Sequence, residues 1–375
     1  MSISEHKKKY LFAAAGLGVA GTLLFLGLVS EAPYSGVNLN SFLGEGRDLQ
    51  SSRQVDEAFI NYAQKYNRDY KTNSEYSKKK KQFSSNYKTI REYNAKKKAE
   101  SEVELDVNAF ADMSASEYQS ILNFRLTASA LKDQKNALEK LKREEKDQND
   151  PDLSQATSVD WRASGIVTPV KSQGSCGGCY SFASNAALES AYMLKYGKLF
   201  TFSNQQHVDC SKSFGNNGCS SGNMANVYNY LKANKVMLDA DYPYVGRVGT
   251  CQYNDAKGVT TVNGPLYVKR NDPAALMNAV AIRPIAIGIA ASSTLFQFYK
   301  SGVITDAKAC GTALNHAVVI VGYGSTADNI PFWIIKNSWG TAWGEAGYVR
   351  VKRETVAGTV GVCAVQQYLV YPNLL

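Results

Sequence analysis

The chain has 375 residues, 44% of them hydrophobic and 20% charged, an ordinary composition for one large or two medium globular domains. Its formal charge is +9, and from residue 153 onward 18 basic residues face 11 acidic ones, so most of the surplus lies in the C-terminal part. No basic stripe there alternates with aromatics, which argues against nucleic-acid binding and leaves solubility as the reading of the surplus.

At the N-terminus Lys7, Lys8 and Lys9 precede YLFAAAGLGVAGTLLFLGLVS, about 20 apolar residues ending near Ser30. A charge-free run of this length can span a bilayer, and the lysines would keep its start in the cytosol. Leu28, Ser30 and Glu31 make a poor cleavage site. Residues 1–30 therefore read as a signal peptide or, slightly better, an anchor lost on maturation. Either reading sends the rest into the secretory pathway, as a precursor with no Asn-x-Ser/Thr sequon to glycosylate. Residues 31–54 are polar and without period, a linker.

From about 55 to 100 Phe59, Tyr62, Tyr66 and Tyr70, then Tyr76, Phe83, Tyr87, Ile90 and Asn94, recur at helical spacing, with lysines crowding the other face. A second charged run, ALKDQKNALEKLKREEKDQND over 130–150, is also predicted helical, and Pro151 ends it. Beyond it charges thin out. Residues 179–196 carry a broad apolar face (Phe182, Ala186, Leu188, Ala191, Tyr192) with Gly197 as stop, and Met224, Val227, Tyr228 and Leu231 mark another helix. From about 265 the texture is strand-like: PIAIGIAA, HAVVIVGYG, FWIIKNSWG and GYVRVKR. The region from 153 is thus a helical half followed by a β-rich half, and a cleft between two such halves is a usual place for chemistry.

All seven cysteines (Cys176, Cys179, Cys210, Cys219, Cys251, Cys310, Cys363) lie in that region. An odd number suggests three bridges and one thiol, in an oxidising compartment. Cys176 and Cys179 form a C-x-x-C with three readings. Structural zinc needs four ligands, and no second close pair exists. A redox dithiol gains reactivity at a helix start, but the βαβ context is missing. In the third reading Cys179 is a nucleophile beside a structural Cys176. It then needs a positive neighbour, and the chain has only His6, His207 and His316. His6 precedes the apolar run and His207 reads as a packed histidine. His316 heads a strand, and the Asn337 amide oxygen in KNSWG can accept its ring proton.

QGSCGGCYSF, LNHAV and KNSWG resemble, in order and spacing, the three signature blocks of papain-like cysteine proteases, close to the cathepsin L group. The resemblance implies an α+β, two-lobed fold: a helical lobe and a β-barrel-like lobe with the active-site cleft between, over residues 153–375. It implies a cysteine endopeptidase without metal or cofactor, acting on protein and peptide substrates. Cys179 would attack as thiolate, His316 would serve as acid and base, Asn337 would orient the ring, and Gln173 would complete the oxyanion hole with the Cys179 N–H. Trp339 would shield the Asn337–His316 bond. Gly222 would pair with the substrate backbone, while Asn223, Met224, Leu314 and Ala317 would wall the main side-chain pocket. Tyr368 would floor that pocket, which therefore favours hydrophobic side chains two residues before the scissile bond.

The likeness extends upstream. Glu75, Phe83, Asn86, Ile90 and Asn94, with Lys79 for the usual Arg, are similar to the interspersed helix motif of cathepsin L-type proregions. Asn108, Phe110 and Asp112 resemble the next motif, with Asp106 for its usual Gly. Residues 55–152 are thereby implied to be a helical inhibitory propeptide, threaded backwards through the cleft and cut off between about 148 and 156. Acid would release it as carboxylates such as Asp112 take protons. The implied bridges are Cys176–Cys219, Cys210–Cys251 and Cys310–Cys363, leaving Cys179 free. The implied location is the lysosome, vacuole or cell exterior, with membrane contact only through the N-terminal segment. Departures from the family pattern are Gly178 for Ser or Ala, Tyr180 for Trp, Ser221 for Gly and Asn315 for the frequent Asp.

Overall fold

A computed structural model describes residues 53–144 and 157–374. The apolar run at 10–30 and the expected cleavage region at 148–156 lie outside the described residues. Among the described residues no helix is long and apolar enough to cross a membrane.

Helix α1 spans residues 53–65 and α2 Asn73–Asn94. The continuous helix expected from the aromatic stripe is interrupted: Asn67 turns the chain at φ 48°, a left-handed conformation that Asn tolerates. Thr72 then caps α2 by accepting the Glu75 N–H at 3.1 Å. The break lets the stripe fold onto itself. Phe59 lies 5.3 Å from Phe83 and 5.7 Å from Tyr70, and Tyr62 lies 5.0 Å from Phe83. Phe59 and Phe83 are fully buried. Two asparagines of the motif serve the extended chain that follows. Asn86 donates to the Ala111 and Met113 carbonyls, while Asn94 brackets Leu105, donating to its carbonyl and accepting its N–H. These amides satisfy backbone groups of the segment that no strand ladder takes up. Buried Asp112 joins both parts, 3.4 Å from Arg68 and accepting from the Tyr70 hydroxyl at 3.0 Å.

Next come β1 (Glu104–Leu105), α3 (Ala115–Gln119) and α4 (Ala128–Glu144), the last in place of the helix expected over 130–150. Ser114 and Glu117 close a capping box on α3, and Lys79 of α2 reaches Glu117 at 2.8 Å. Burial alone would raise the Glu117 pKa, but Lys79 and the Ser114 N–H and hydroxyl together hold it down to about 2. A folded pKa below the ordinary 4.5 means stabilisation that is complete above about pH 4.5 and is lost as pH falls toward 2. In urea titrations of the full chain, Glu117→Gln should lower proregion stability by a constant amount above pH 5. That deficit should vanish near pH 2, and a deficit that grew in acid would contradict the assignment.

The C-terminal region contains β2 (Val159–Asp160), α5 (Cys179–Tyr196), α6 (Asn204–Cys210), α7 (Met224–Tyr230), β3 (Val236–Met237), β4 (Gly258–Thr260), β5 (Pro265–Tyr267) and α8 (Pro273–Ile282). Then follow β6 (Ile285–Ile289), α9 (Thr294–Gln297), β7 (Tyr299–Ser301), β8 (Val303–Ile304), α10 (Ala307–Cys310), β9 (His316–Ser325), β10 (Pro331–Lys336), β11 (Tyr348–Lys352) and β12 (Leu369–Pro372). Within the stretch read as strand-like, α8 is a helix. Its signal is Asp272 capping the Ala275 N–H, followed by Pro273 in the first turn.

The main sheet runs β5-β12-β6-β9-β10-β11-β8, with β2 beside β9. It is open. The barrel-like closure expected of this lobe is absent among the described residues, because the path ends on strands of three and two residues that pair on one side only. Helix α5 crosses against β9 and carries the helical half. The proregion adds β1 antiparallel to β7, pairing Glu104 with Ser301, and Lys300 bonds Glu104 at 2.7 Å.

Candidate active site

Cys179 is the first residue of α5 and is fully buried. Gly178 precedes it at φ −84°, ψ 14°, without a side-chain cap. An added Cβ there would meet nothing nearer than 3.5 Å, so glycine is permitted here but not required. Gly197, at φ 67°, ends the helix where expected. His316 opens β9, and its Nε2 lies 2.8 Å from Asn337 Oδ1, just after β10. The Ser338 N–H also donates to that oxygen, so Nε2 is the donor to Asn337. The other ring nitrogen, Nδ1, is buried without a hydrogen-bond partner. Trp339 stacks on the imidazole at 4.8 Å and 26°, which keeps water from the His316–Asn337 bond.

Asn337 is held from behind. Lys336, nearly buried, donates to the Thr168 carbonyl and hydroxyl at 2.7 and 2.9 Å. The Thr168 hydroxyl in turn bonds Glu189 of α5, which also accepts from Lys171 and from the Phe202 N–H. Burial pushes Lys336 down to about 8. This buried chain fixes the end of β10 to the helix that bears Cys179.

The cleft is occupied by the proregion. Gln173 Nε2 donates to the Ile121 carbonyl at 3.2 Å, while its Oε1 is fixed by the Ser338 hydroxyl at 2.7 Å. The Gly222 N–H donates to the Asn123 carbonyl at 3.1 Å and its carbonyl accepts the Arg125 N–H at 3.0 Å. Phe124 pairs in parallel with Gly222, and its own N–H donates to the Asn315 carbonyl. The Phe124 ring is buried 5.6 Å from Tyr368, whose hydroxyl donates to Asn223 Oδ1 at 2.8 Å. Asn223 Nδ2 reaches the Arg125 carbonyl, and Met224 and Ala317 are buried in the same apolar cluster as Phe124. Leu314 lies at its margin. Gly288 on β6 completes the pocket, since a Cβ there would sit 2.9 Å from the Phe124 ring and 3.0 Å from Leu314.

The structure gathers Gln173, Gly222, Asn223, Met224, Leu314, Ala317 and Tyr368 around residues 121–125, and it sets His316, Asn337 and Trp339 in a cluster joined to Gln173 through Ser338. Ile121, Asn123, Phe124, Arg125 and Gly288 were not anticipated. Only Gly288 carried a signal, a lone glycine inside a strand.

Burial pushes the Cys179 thiol up to about 11, against the opposing N–H groups of Ala317, Asn123 and Tyr180. Burial likewise pushes His316 down to about 4, against the Asn337 bond. Asn123 belongs to the proregion, so part of the burial that raises the thiol leaves with that segment, and the opposing Asn123 N–H, a smaller contribution, leaves with it. Iodoacetamide at pH 7 should therefore alkylate Cys179 about a hundredfold faster after proregion removal. Equal rates would contradict that reading.

The substituted positions also find partners. The Tyr180 hydroxyl donates to the Gly218 carbonyl at 3.0 Å, and its ring fills the space where a Cβ on Gly222 would fall, 2.3 Å away. Asn315 accepts the Ala291 N–H at 2.9 Å and donates to the Ser292 hydroxyl. His207 is fully buried against Ser181, with burial pushing it to about 3.

Disulfides join Cys176–Cys219, Cys210–Cys251 and Cys310–Cys363, and Cys179 is the free cysteine. With Cys176 bridged, both the zinc and the dithiol readings lose a required sulfur.

A second contact surface lies beside the cleft. Phe110 meets Trp339 edge-on at 4.9 Å and Tyr118 does so at 5.8 Å, with Phe296 and Trp343 behind. The Tyr118 hydroxyl donates to the Ala291 carbonyl and Asn108 to that of Gln297.

Residues 155–373 match the papain family of cysteine proteases and residues 59–118 the cathepsin propeptide inhibitor domain. Ananain from Ananas comosus is 44% identical over 60% of this chain and 64% of its own length, so the match spans just under two thirds of that relative. The senescence-specific cysteine protease SAG12 of Arabidopsis thaliana is 40% identical over 72% of this chain and 77% of its own. Among solved structures, digestive procathepsin L 3 from Tenebrio molitor larval midgut superposes with TM-score 0.73 at 32% identity, covering 85% of this chain and 99% of that one. The chain belongs to the papain family of cysteine proteases and carries a cathepsin-type inhibitory propeptide.

Proposed function

We propose that the chain is an endopeptidase made as a zymogen, with residues 55–152 as inhibitor and 153–375 as peptidase. The observation that carries this is the Asn337-bonded His316 under Trp339, whose neighbour Ala317 turns its N–H to the buried Cys179, with a proregion carbonyl resting on Gln173 Nε2. Once the proregion leaves, His316 takes the Cys179 proton, and the thiolate attacks a substrate carbonyl carbon. Gln173 Nε2 and the Cys179 N–H receive the oxyanion. As the C–N bond breaks, the imidazolium gives its proton to the leaving amine. Water, deprotonated by His316, then hydrolyses the thioester and restores the thiol.

Asn337 orients the ring, and the Trp339 indole keeps that hydrogen bond dry. Gly222 holds the substrate backbone. Asn223, Met224, Leu314, Ala317 and Tyr368 shape the pocket for the side chain two residues before the scissile bond. Phe124 is the proregion's occupant of this pocket, which supports a preference for apolar side chains. Its parallel pairing with Gly222 supports the backward threading. Cleavage between 148 and 156 separates the two parts, and the N-terminal apolar run directs the precursor into the secretory pathway, toward lysosome, vacuole or exterior.

A peptide library cleaved by the processed enzyme should show Phe, Leu or Val favoured about tenfold or more over Arg at that position, since none of the walls Asn223, Met224, Gly288, Leu314, Ala317 and Tyr368 is acidic. A preference for Arg would overturn the assignment.

A further inference from the structure

The inhibitor-domain match ends at residue 118, yet the chain beyond it crosses the cleft and then forms α4 against the peptidase. Along α4 the inward residues recur at helical spacing: Ala130 and Gln134 are buried, Ala137 and Leu138 half-buried. Leu126, Ala137 and Leu138 rest on the apolar cluster that includes Tyr267, Tyr368 and Val370. Helix α4 thereby covers β5, an edge strand of the open sheet, as edges commonly require. Tyr368 in the same cluster also contacts Phe124, so the helix seat and the occupied pocket share a wall.

The centre of this inward face is polar. Gln134 is 1% exposed, and neither its Nε2 nor its Oε1 has a partner. It lines a groove of about 1440 Å³ whose other walls include Tyr267, Ile285 and Tyr371. A buried amide without partners weakens the contact in which it sits.

We propose that α4 is a latch, a second docking element of the proregion whose partner is the β5–β12 edge of the peptidase and whose grip is limited by Gln134. This rests on the reading of the chain as a zymogen and deepens it. The first docking element holds Trp339 and β7, so residues 121–126 are clamped from both ends. Opening the latch leaves them bound at one end only and lets the cleft empty.

The test uses the full chain in two forms. In a Cys179→Ala background, hydrogen exchange is followed in α4 and in residues 121–126. Gln134→Leu should slow exchange in both segments about tenfold, and Ala130→Glu should speed it in both. In the catalytically intact chain, the half-time of proregion loss at fixed pH should lengthen and shorten in the same order. The processed enzymes should share one kcat/KM, because α4 is gone. The latch is overturned if α4 exchange responds while residues 121–126 and the activation half-time do not, or if Gln134→Leu hastens activation. An intact chain without peptidase activity would remove the zymogen reading, whereas correlated exchange in the two segments would still support the latch.

Discussion

Cys179→Ala is expected to reduce peptidase activity about 10⁵-fold or more while leaving the fold intact. No other described cysteine is free to substitute, since the remaining six are bridged. Losing the nucleophile removes the covalent route, and the oxyanion donors that remain supply only a small residue of catalysis. The variant should accumulate as full-length precursor with an unchanged melting temperature, because the side chain lost is small and its N–H stays in place. Surviving turnover after rigorous purification would exclude Cys179 as the attacking atom.

Phe110→Ala should have the next largest effect, on latency. Phe110 is 9% exposed, lies against Tyr118 and meets Trp339 edge-on at 4.9 Å, so its ring joins the proregion's fold to the peptidase. Truncating a buried Phe costs about 3–5 kcal/mol, part of it in the proregion's own core. If half of that bears on docking, inhibition weakens by about 10-fold to 10²-fold. The readout is hydrolysis of a small peptide at neutral pH by precursor before any cleavage appears on a gel. Unchanged latency would show that β1 and the cleft segment suffice without the aromatic contact.

The features legible in the sequence were those written in local pattern or residue chemistry. The extent of α5, its glycine stop, the strand runs and the aromatic residues of the proregion core follow from period and capping. The break at Asn67 did not, because the stripe keeps its spacing across a turn that only tertiary packing of Phe59 on Phe83 explains. Helix α8 was signalled by Asp272 and Pro273 but masked by its apolar, β-tolerant composition. Openness of the sheet depends on strand pairing at its ends, which no local pattern reports. At the site, the family likeness supplied the His316–Asn337 pair under Trp339 and the Gln173, Gly222 and Asn223 positions that hold residues 121–125. The segment 121–126 stayed illegible because it binds Gly222, Asn315, Gln173 and Asn223 through its own backbone groups, and backbone carries no sequence signature.

The cover over Cys179 has a consequence for how the molecule reaches its folded state. A free thiol three positions from Cys176, itself bridged to Cys219, is a standing threat to that bridge, since a nearby thiolate can attack a disulfide sulfur and reshuffle the set. Exchange needs the thiolate, and burial of Cys179, against the opposing N–H groups around it, pushes the thiol up to about 11. Burial of this thiol therefore also disfavours its attack on the neighbouring Cys176–Cys219 bridge.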